Sequence, residues 1–285
     1  MKRYFISITV LVLISFAGFS RAEAPSKKFK DSTTGMEFIF VKGGCFQMGD
    51  TLGDGESDKK PVHEVCVDDI YIGKYEVTVG EFKKFANDTG YSTDAEKGDG
   101  CFVWTGSEWK KENSYNWRNL NLSQDDRHPA ACVSWNDAKA YTEWQSKKSG
   151  KPYRLPKEAE WEYAAMSEGN NEKYAGGNDI DSVAWYKDNL ENKTHPVGQK
   201  QPNGIGIYDM SGNVWEWVQD WYNSGYYKNS PKDNSKGAGS GKYRVLRGGS
   251  CIQLTVVPAG VSPELVRACG TAPQFYGFRL VLAAQ

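Results

Sequence analysis

The sequence predicts an α+β fold that is rich in loops, with short strands and about three helices. Aromatic residues and glycines are abundant, with 10 Trp, 16 Tyr, 12 Phe and 30 Gly in 285 residues. Such a composition is typical of turn-rich globular proteins with a large aromatic core. Segments of alternating apolar residues are interspersed with segments of helical spacing. Because no linker or repeat divides the chain after residue 35, we expect one domain over residues 35–285.

Apolar spacing places the first strands and the three helices. Alternation predicts strands over residues 36–41 and 62–67. Helical spacing predicts helices over residues 78–86, 134–144 and 156–165. The first two begin with a Thr or Ser cap, and the third begins with Pro and acidic residues, which the helix dipole favours. Beyond the third helix we expect mostly loops, turns and short strands.

Residues 1–22 have the features of a secretory signal peptide. A basic start at Lys2 and Arg3 precedes an apolar stretch over residues 5–19. That stretch is too short for a membrane span, and a buried N-terminal helix or an anchor is the alternative. The first cysteine is Cys45, so no lipid attachment is expected. We therefore expect an exported protein, periplasmic, on the cell surface or secreted, with a linker over residues 23–34.

The charges and cysteines exclude several kinds of partner. With 35 basic and 36 acidic residues and no basic run, neither nucleic acid nor membrane is an expected partner. The six cysteines form no CxxC, and the three histidines stand apart, so no zinc site is expected. Export permits disulfides. The neighbouring strand-like segments favour Cys45 with Cys66, and a second expected pair is Cys101 with Cys132, although spacing alone does not fix the pairing.

Seven ordered strings of sequence resemble one protein family. They are GGCFQMGD (43–50), YIGKYEVTVGEFKKF (71–85), HPAACVSWNDAKAY (128–141), YRLPKEAEWEYAA (153–165), NGIGIYDMSGNVWEWVQDWY (203–222), RVLRGGS (244–250) and GFRLV (277–281). Together they resemble the formylglycine-generating-enzyme-like, or sulfatase-modifying factor, family. The resemblance spans essentially the whole chain after the signal peptide and implies a C-type lectin-like fold.

Large side chains in these strings are suited to holding a loop-rich scaffold. An indole combines a large apolar surface with one donor, and a guanidinium has five donors that can join several carbonyls. We therefore expect structural roles rather than direct ligand contacts for Trp135, Trp161, Trp215, Trp217, Arg154 and Arg279.

The resemblance also implies a calcium site in the turn that begins at Asp209. The matching positions are Asp209, Gly212, Val214 and Glu216, which offer two carboxylates and two main-chain carbonyls. Such hard oxygen ligands suit a structural calcium ion, and a capped turn without metal is the alternative. The side-chain ligand of a second family calcium site falls on Val183, so that site is not carried over.

The enzymes of this family use two cysteines just after the GGS string. Here the matching positions are Gln253 and Pro258. Because thiolate sulfur binds the copper ion in those enzymes, the resemblance implies that this chain binds no copper and is not an enzyme. A displaced pair of Cys251 and Cys269 is the alternative, which the tight geometric tolerance of active sites disfavours.

Residues 251–276 differ in composition from the rest of the chain. They contain no Lys, Asn, Asp or Trp, and all but Gln253, Glu264 and Gln274 are types that NNC or NNT codons encode. Randomised adenines in AAC or AAT codons leave this pattern, so the chain resembles a variable protein of a diversity-generating retroelement. A buried core strand is the alternative, but the three prolines and the lack of alternation disfavour it.

We therefore expect a non-catalytic protein that binds its ligand through this segment. Because the segment is largely apolar, the unknown ligand is expected to be a protein or peptide rather than a free sugar. The alternatives are an oxidase of the family and a structural module of the cell envelope. The candidate ligand-binding residues are Cys251, Ile252, Gln253, Leu254, Thr255, Val256, Val257, Val261, Ser262, Leu265, Val266, Ala268, Cys269, Thr271, Ala272, Phe275 and Tyr276.

Overall fold

The computed structural model describes residues 26–53, 57–104, 107–170, 172–249 and 275–284. The predicted signal peptide and the candidate segment up to residue 274 lie outside the described residues. Within them, no helix is long and apolar enough to cross a membrane.

The three predicted helices are confirmed, and the described residues also form two single-turn α-helices and two short 3₁₀ helices (Ser57–Lys59 and Tyr226–Asn229). Thr78 and Ser134 each accept a hydrogen bond from the backbone three residues on, and left-handed glycines, Gly90 and Gly150, follow the last turns. The α-helices of the described residues are α1 (Val79–Thr89), α2 (Asp94–Lys97), α3 (Trp135–Ser149), α4 (Glu158–Ala165) and α5 (Ile180–Val183).

The strands of the described residues are short and form four small sheets. In chain order they are β1 (Lys28–Lys30), β2 (Glu37–Val41), β3 (Gly44–Met48), β4 (His63–Val67), β5 (Ile70–Gly73), β6 (Cys101–Trp104), β7 (Trp109–Glu112), β8 (Trp215–Trp221), β9 (Arg244–Gly248), β10 (Tyr276–Gly277) and β11 (Val281–Ala283). One sheet has the order β1-β2-β5-β11, which joins the two ends of the described chain, and another has the order β10-β8-β9. The pairs β3–β4 and β6–β7 are separate hairpins. The predicted strands correspond to β2 and β4.

In the part of the chain that the structure describes, buried side chains form three clusters that hold these elements together. The largest packs α1 and α3 against β2 and the C-terminal strands, with Phe82, Tyr141 and Phe278 near its centre. The second lies around α4 and the β3–β4 hairpin. The third is smaller and lies where the β6–β7 hairpin meets the residue before β10. The strands β8 and β10 therefore lie over a rigid aromatic core.

The structure contains both expected disulfides. Cys45 and Cys66 face each other across β3 and β4. Cys101 joins β6 to Cys132, which lies just before α3. The first bond closes a hairpin within the second cluster, whereas the other joins two separate parts of the chain.

Candidate ligand-binding site

The candidate segment begins and ends on the two strands that flank β8. Trp215 at the start of β8 pairs with Gly248 of β9 on one side and with Tyr276 of β10 on the other. Neighbouring strands lie about 4.8 Å apart, so the two ends are roughly 10 Å apart across β8. We call residues 247–249 the departure end and residues 275–278 the return end.

At the departure end, a buried arginine is held by charge. Arg247 is 1% exposed, and its Nη2 donates to Glu162 at 2.6 Å and lies 3.2 Å from a Glu158 carboxylate oxygen. Burial opposes the charge of Arg247, but Glu162, Tyr227 and Glu158 together outweigh this effect and raise the pKa of the guanidinium. Burial also raises the pKa of Glu158. The last residues of β9 are thus fixed to α4 by an ionic network.

The glycines of the departure end meet a backbone requirement. Gly248 and Gly249 have φ angles of 90° and 156°, which only glycine adopts without strain. A Cβ at Gly248 would also lie 3.3 Å from the Val214 carbonyl oxygen. Glycine is therefore required at the last two described positions before the candidate segment.

At the return end, Phe275 belongs to the core. It is 1% exposed and packs in the third cluster with Cys101, Cys132 and Val214. The expectation that Phe275 is a ligand-binding residue is wrong, because its buried side chain packs in the third cluster and is not available to a ligand. The Phe275 carbonyl accepts a hydrogen bond of 2.8 Å from the Trp215 amide, which fixes the backbone as well.

Tyr276 and Gly277 continue the return end along β8. The Tyr276 ring is partly buried and packs edge-on against Trp217, with ring centroids 5.3 Å apart. Its exposed part keeps it a candidate for ligand contact. A Cβ at Gly277 would lie 2.8 Å from Val214 Cγ2 and 2.9 Å from the Ala130 carbonyl oxygen, so the close approach requires glycine.

Arg279 follows the return end and joins several parts of the core. It is fully buried, and its Nε and Nη2 each donate to Glu216 at 2.6 Å. It also donates to the carbonyls of Gly73 and Tyr208 at 3.0 Å each. The prediction that this arginine ties several carbonyls together is confirmed. Trp161 completes the arrangement by donating to Glu216 at 2.9 Å.

The predicted calcium positions differ in their availability to a cation. Asp209 is 3% exposed, its Oδ2 accepts from the Gly198 amide at 2.8 Å, and burial raises its pKa to about 6. Its Oδ1 is buried without a hydrogen-bond partner among the described residues. Both oxygens of Glu216, in contrast, are engaged by Arg279. Of the two predicted carboxylates, Asp209 therefore has an oxygen available to a cation, whereas the Glu216 charge is balanced by Arg279.

A third carboxylate, Glu76, was not expected from the sequence. It is 1% exposed and accepts from the Asn213 side chain at 2.8 Å and from the Val214 amide at 3.1 Å. Burial raises its pKa, and the charges of Asp209 and Glu216 add to the shift. In the sequence, the only indication of a buried Glu76 is its position between Tyr75 and Val77, within one of the family strings. Among the described residues, no three His, Cys, Asp or Glu side chains are arranged to hold a metal ion.

The tryptophans of the family strings act mainly as scaffold. Trp135 and Trp217 donate to the carbonyls of Val218 and Val133 at 2.9 and 2.8 Å. The guanidinium of Arg244 lies between the rings of Trp135 and Trp221, 3.7 and 3.4 Å from their centroids. These contacts fix α3 to the β8–β9 pair.

Comparison with known proteins identifies the family. A family model described as the sulfatase-modifying factor enzyme 1-like domain matches residues 23–284. The chain belongs to this family. The formylglycine-generating enzyme of Streptomyces coelicolor is 35% identical over 249 residues, which cover 74% of this chain and 77% of that enzyme.

Two solved structures of similar fold place the domain among its relatives. PvdO of Pseudomonas aeruginosa is 28% identical, with a TM-score of 0.72, over 92% of this chain and all of PvdO. Treponema denticola variable protein 1 is 24% identical, with a TM-score of 0.67, over 90% of this chain and 99% of that protein, which shows a shared fold. The predicted α+β, C-type lectin-like fold is confirmed. The family's cysteine positions, Gln253 and Pro258, and candidate residues 251–272 lie outside the described residues.

Proposed function

We propose that this member of the sulfatase-modifying factor family is a non-catalytic ligand-binding protein. Its binding surface is a sequence-variable segment over residues 251–274, with Tyr276 beside it, on a fixed C-type lectin scaffold. The observation that carries the proposal is the attachment of both ends of this segment to β8, on either side of Trp215.

The contacts that fix the two ends come from residues outside the segment. Arg247 is held by Glu162, Arg279 is held by Glu216, and Phe275 is held by the third cluster. The entropy needed to close a loop depends on its length and hardly on its sequence. Side chains between the two ends can therefore change without loss of these contacts, which is the property that a variable surface requires.

The side chains at the family's cysteine positions support a non-catalytic role. Gln253 offers an amide and Pro258 offers no donor atom, and neither replaces a thiolate as a soft copper ligand. The residue types of the 251–276 segment, nearly all of which NNC or NNT codons can encode, support diversification by a retroelement. The shared fold with a protein named variable protein 1 supports a scaffold of this kind.

The partner we propose is a protein or peptide outside the cytoplasm. The near-neutral charge gives no attraction to nucleic acid. An apolar segment suits the apolar centre of a protein interface more than a free sugar. The two disulfides are compatible with an oxidising compartment, in agreement with the predicted signal peptide.

We further propose a structural calcium ion at the Asp209 turn. Asp209 Oδ1 would bind it together with the main-chain carbonyls of Gly212 and Val214, and the ion would neutralise buried carboxylate charge. A chelator should then lower the melting temperature, because an ion that binds only the folded state stabilises it. Asp209→Ala should remove the response, and Asp209→Asn, which keeps an oxygen, should retain part of it. Identical melting curves in chelator and in excess calcium would exclude the ion.

The DNA beside the gene tests the variable surface directly. We expect a near-copy of the codons for residues 251–276, with AAC or AAT at the divergent positions, next to a reverse transcriptase gene. Absence of such a copy would favour the structural envelope module instead.

A peptide-oxidation assay tests the non-catalytic role. With copper and a cysteine-containing sulfatase peptide, we expect no formylglycine, whereas the Streptomyces coelicolor enzyme serves as the positive control. Formylglycine production would overturn the proposal. Its loss in a Cys251→Ser/Cys269→Ser variant would then assign the activity to the displaced cysteine pair.

A replacement experiment tests whether the scaffold is independent of the segment. Residues 251–274 are exchanged for a Gly/Ser sequence of equal length. We expect one cooperative unfolding transition with nearly the original midpoint, since the contacts of both ends are retained. Collapse of the fold would identify the segment as core.

A further inference from the structure

We infer that the Cys101–Cys132 disulfide positions the return end of the binding segment. The inference rests on the proposed function, since only a binding surface gives the position of the return end a functional meaning. The two cysteines lie outside the variable segment, and we assign to them the role of fixing the position of its C-terminal end.

The disulfide and the return end share one buried cluster. Cys101 and Cys132 are 9% and 5% exposed, and they pack in the third cluster with Phe275 and Val214. Phe275 is the first described residue after the variable segment. A change in the position of the two sulfur atoms therefore acts directly on the side chain that fixes this end.

The backbone next to Cys132 also binds the return end. The Val133 amide donates to the Tyr276 carbonyl at 3.3 Å, and the Val133 carbonyl accepts from the Trp217 indole at 2.8 Å. The Ala130 carbonyl lies against Gly277. Residues 130–133 thus pack along the return end. The disulfide joins these residues covalently to β6.

The β6–β7 hairpin supplies the other side of the attachment. Among the described residues it pairs with no third strand, and isolated two-stranded hairpins are marginally stable. Its inner residues, Cys101 and Val103, are buried, while Phe102 on the outer side is 42% exposed. The disulfide therefore stabilises a hairpin that would otherwise depend on packing contacts. By joining this hairpin to Cys132, it also fixes the position of residues 130–133.

The Cys45–Cys66 disulfide offers a matched control. It joins directly opposed residues of β3 and β4, whose apolar side chains belong to the second cluster. The Cys66 amide donates to the Lys232 carbonyl, and the Cys66 carbonyl accepts from the Asn234 amide. No described contact of this pair reaches the return end. Removal of either disulfide costs stability, but only one of them contacts the return end.

The test compares Cys101→Ala/Cys132→Ala with Cys45→Ala/Cys66→Ala in the full chain by amide hydrogen exchange. The reporters are the amides of Val133 and Trp215, which donate to the Tyr276 and Phe275 carbonyls. We expect the first variant to lose at least about tenfold protection at both reporters, beyond the change in its most protected core amides. The second should lose protection at position 66 and keep it at both reporters.

A second variant guards against simple unfolding. Cys132 has a φ of 61°, where glycine is unstrained, so Cys101→Ala/Cys132→Gly removes the same bond with less backbone strain. Unchanged protection at Val133 and Trp215 in this variant, or equal losses in both disulfide variants, would overturn the inference. Either result would leave the proposed function standing. Absence of a near-copy of codons 251–276 beside a reverse transcriptase gene would contradict the proposed function. It would not alter the result of the hydrogen-exchange measurement.

Discussion

The two ends of the binding segment lie beside the same strand but are held by different forces. At the departure end, Arg247 is fixed by the carboxylates of Glu158 and Glu162. At the return end, Phe275 is fixed by apolar packing and by the disulfide beside it. Ionic networks respond to protonation, whereas apolar packing does not. The two ends can therefore be loosened separately, by different treatments.

Asp220 of β8 is a further buried carboxylate beside the network of Arg247. Its Oδ2 accepts from the amide of Glu158, the first residue of α4, at 2.8 Å. Burial, and then the charge of Glu158, raises the pKa of Asp220 to about 7. Just after the return end, the Arg279–Glu216 pair is bidentate, with two bonds of 2.6 Å. Two parallel hydrogen bonds fix the relative orientation of the two side chains and also strengthen the ion pair.

The largest expected effect comes from removal of Arg279. Arg279→Met should lower the free energy of unfolding by about 3–5 kcal/mol, because it leaves the Glu216 charge buried without its partner. Denaturant unfolding measures the loss. As a control, Arg154→Met removes a pair whose arginine side chain is 32% exposed, and it should cost less. Equal losses of unfolding free energy in the two variants would mean that burial does not make the Arg279–Glu216 pair more important for stability than the exposed pair.

A smaller effect is expected from truncation of Phe275. Phe275→Ala should cost about 3 kcal/mol, as large-to-small changes in a core do. Tyr276→Ala should cost less, because part of its ring is exposed. The same unfolding measurement compares the two. If Phe275→Ala lowers the free energy of unfolding by less than about 1 kcal/mol, Phe275 is not a core residue. Apolar packing would then not be what fixes the return end.

The smallest expected effect is a pH dependence at the departure end. The pKa of Asp220 is raised from about 3.9 in the unfolded chain to about 7 in the folded protein. The folded state thus holds a proton that the unfolded state releases, so the stability contributed by this group is present below pH 4 and declines up to about pH 7. For one titrating group the decline is at most about 1.4 kcal/mol for each pH unit, and this step per pH unit is smaller than either truncation effect.

Asp220→Asn should remove this decline, while the other charges that act on Asp220, those of Glu158, Glu160 and Arg247, remain. Unfolding at several pH values checks the difference between the variant and the unaltered protein. A difference that stays constant between pH 4 and 8 would show that Asp220 does not titrate in this range. The charge-based account of the departure end would then need revision.

Local sequence patterns were sufficient for much of the scaffold. The caps at Thr78 and Ser134 determine where two helices begin, because a cap depends on residues only three positions apart. Alternation determined β2 and β4 for the same reason. The ordered strings of the family, and the glutamine and proline at its cysteine positions, are also properties of the sequence by itself.

The tertiary structure decided which side chains meet across long separations. Phe275 belongs to an apolar, unusual segment, and only its contact with Cys132 and Val214 shows that it is core. Glu76 reaches Asn213 across 137 positions of sequence. No periodic pattern encodes such a contact, because periodicity reports the exposed face of one element and not the partner that covers it. The pairing of Trp215 with both ends of the segment was decided in the same way, by the assembly of β8, β9 and β10.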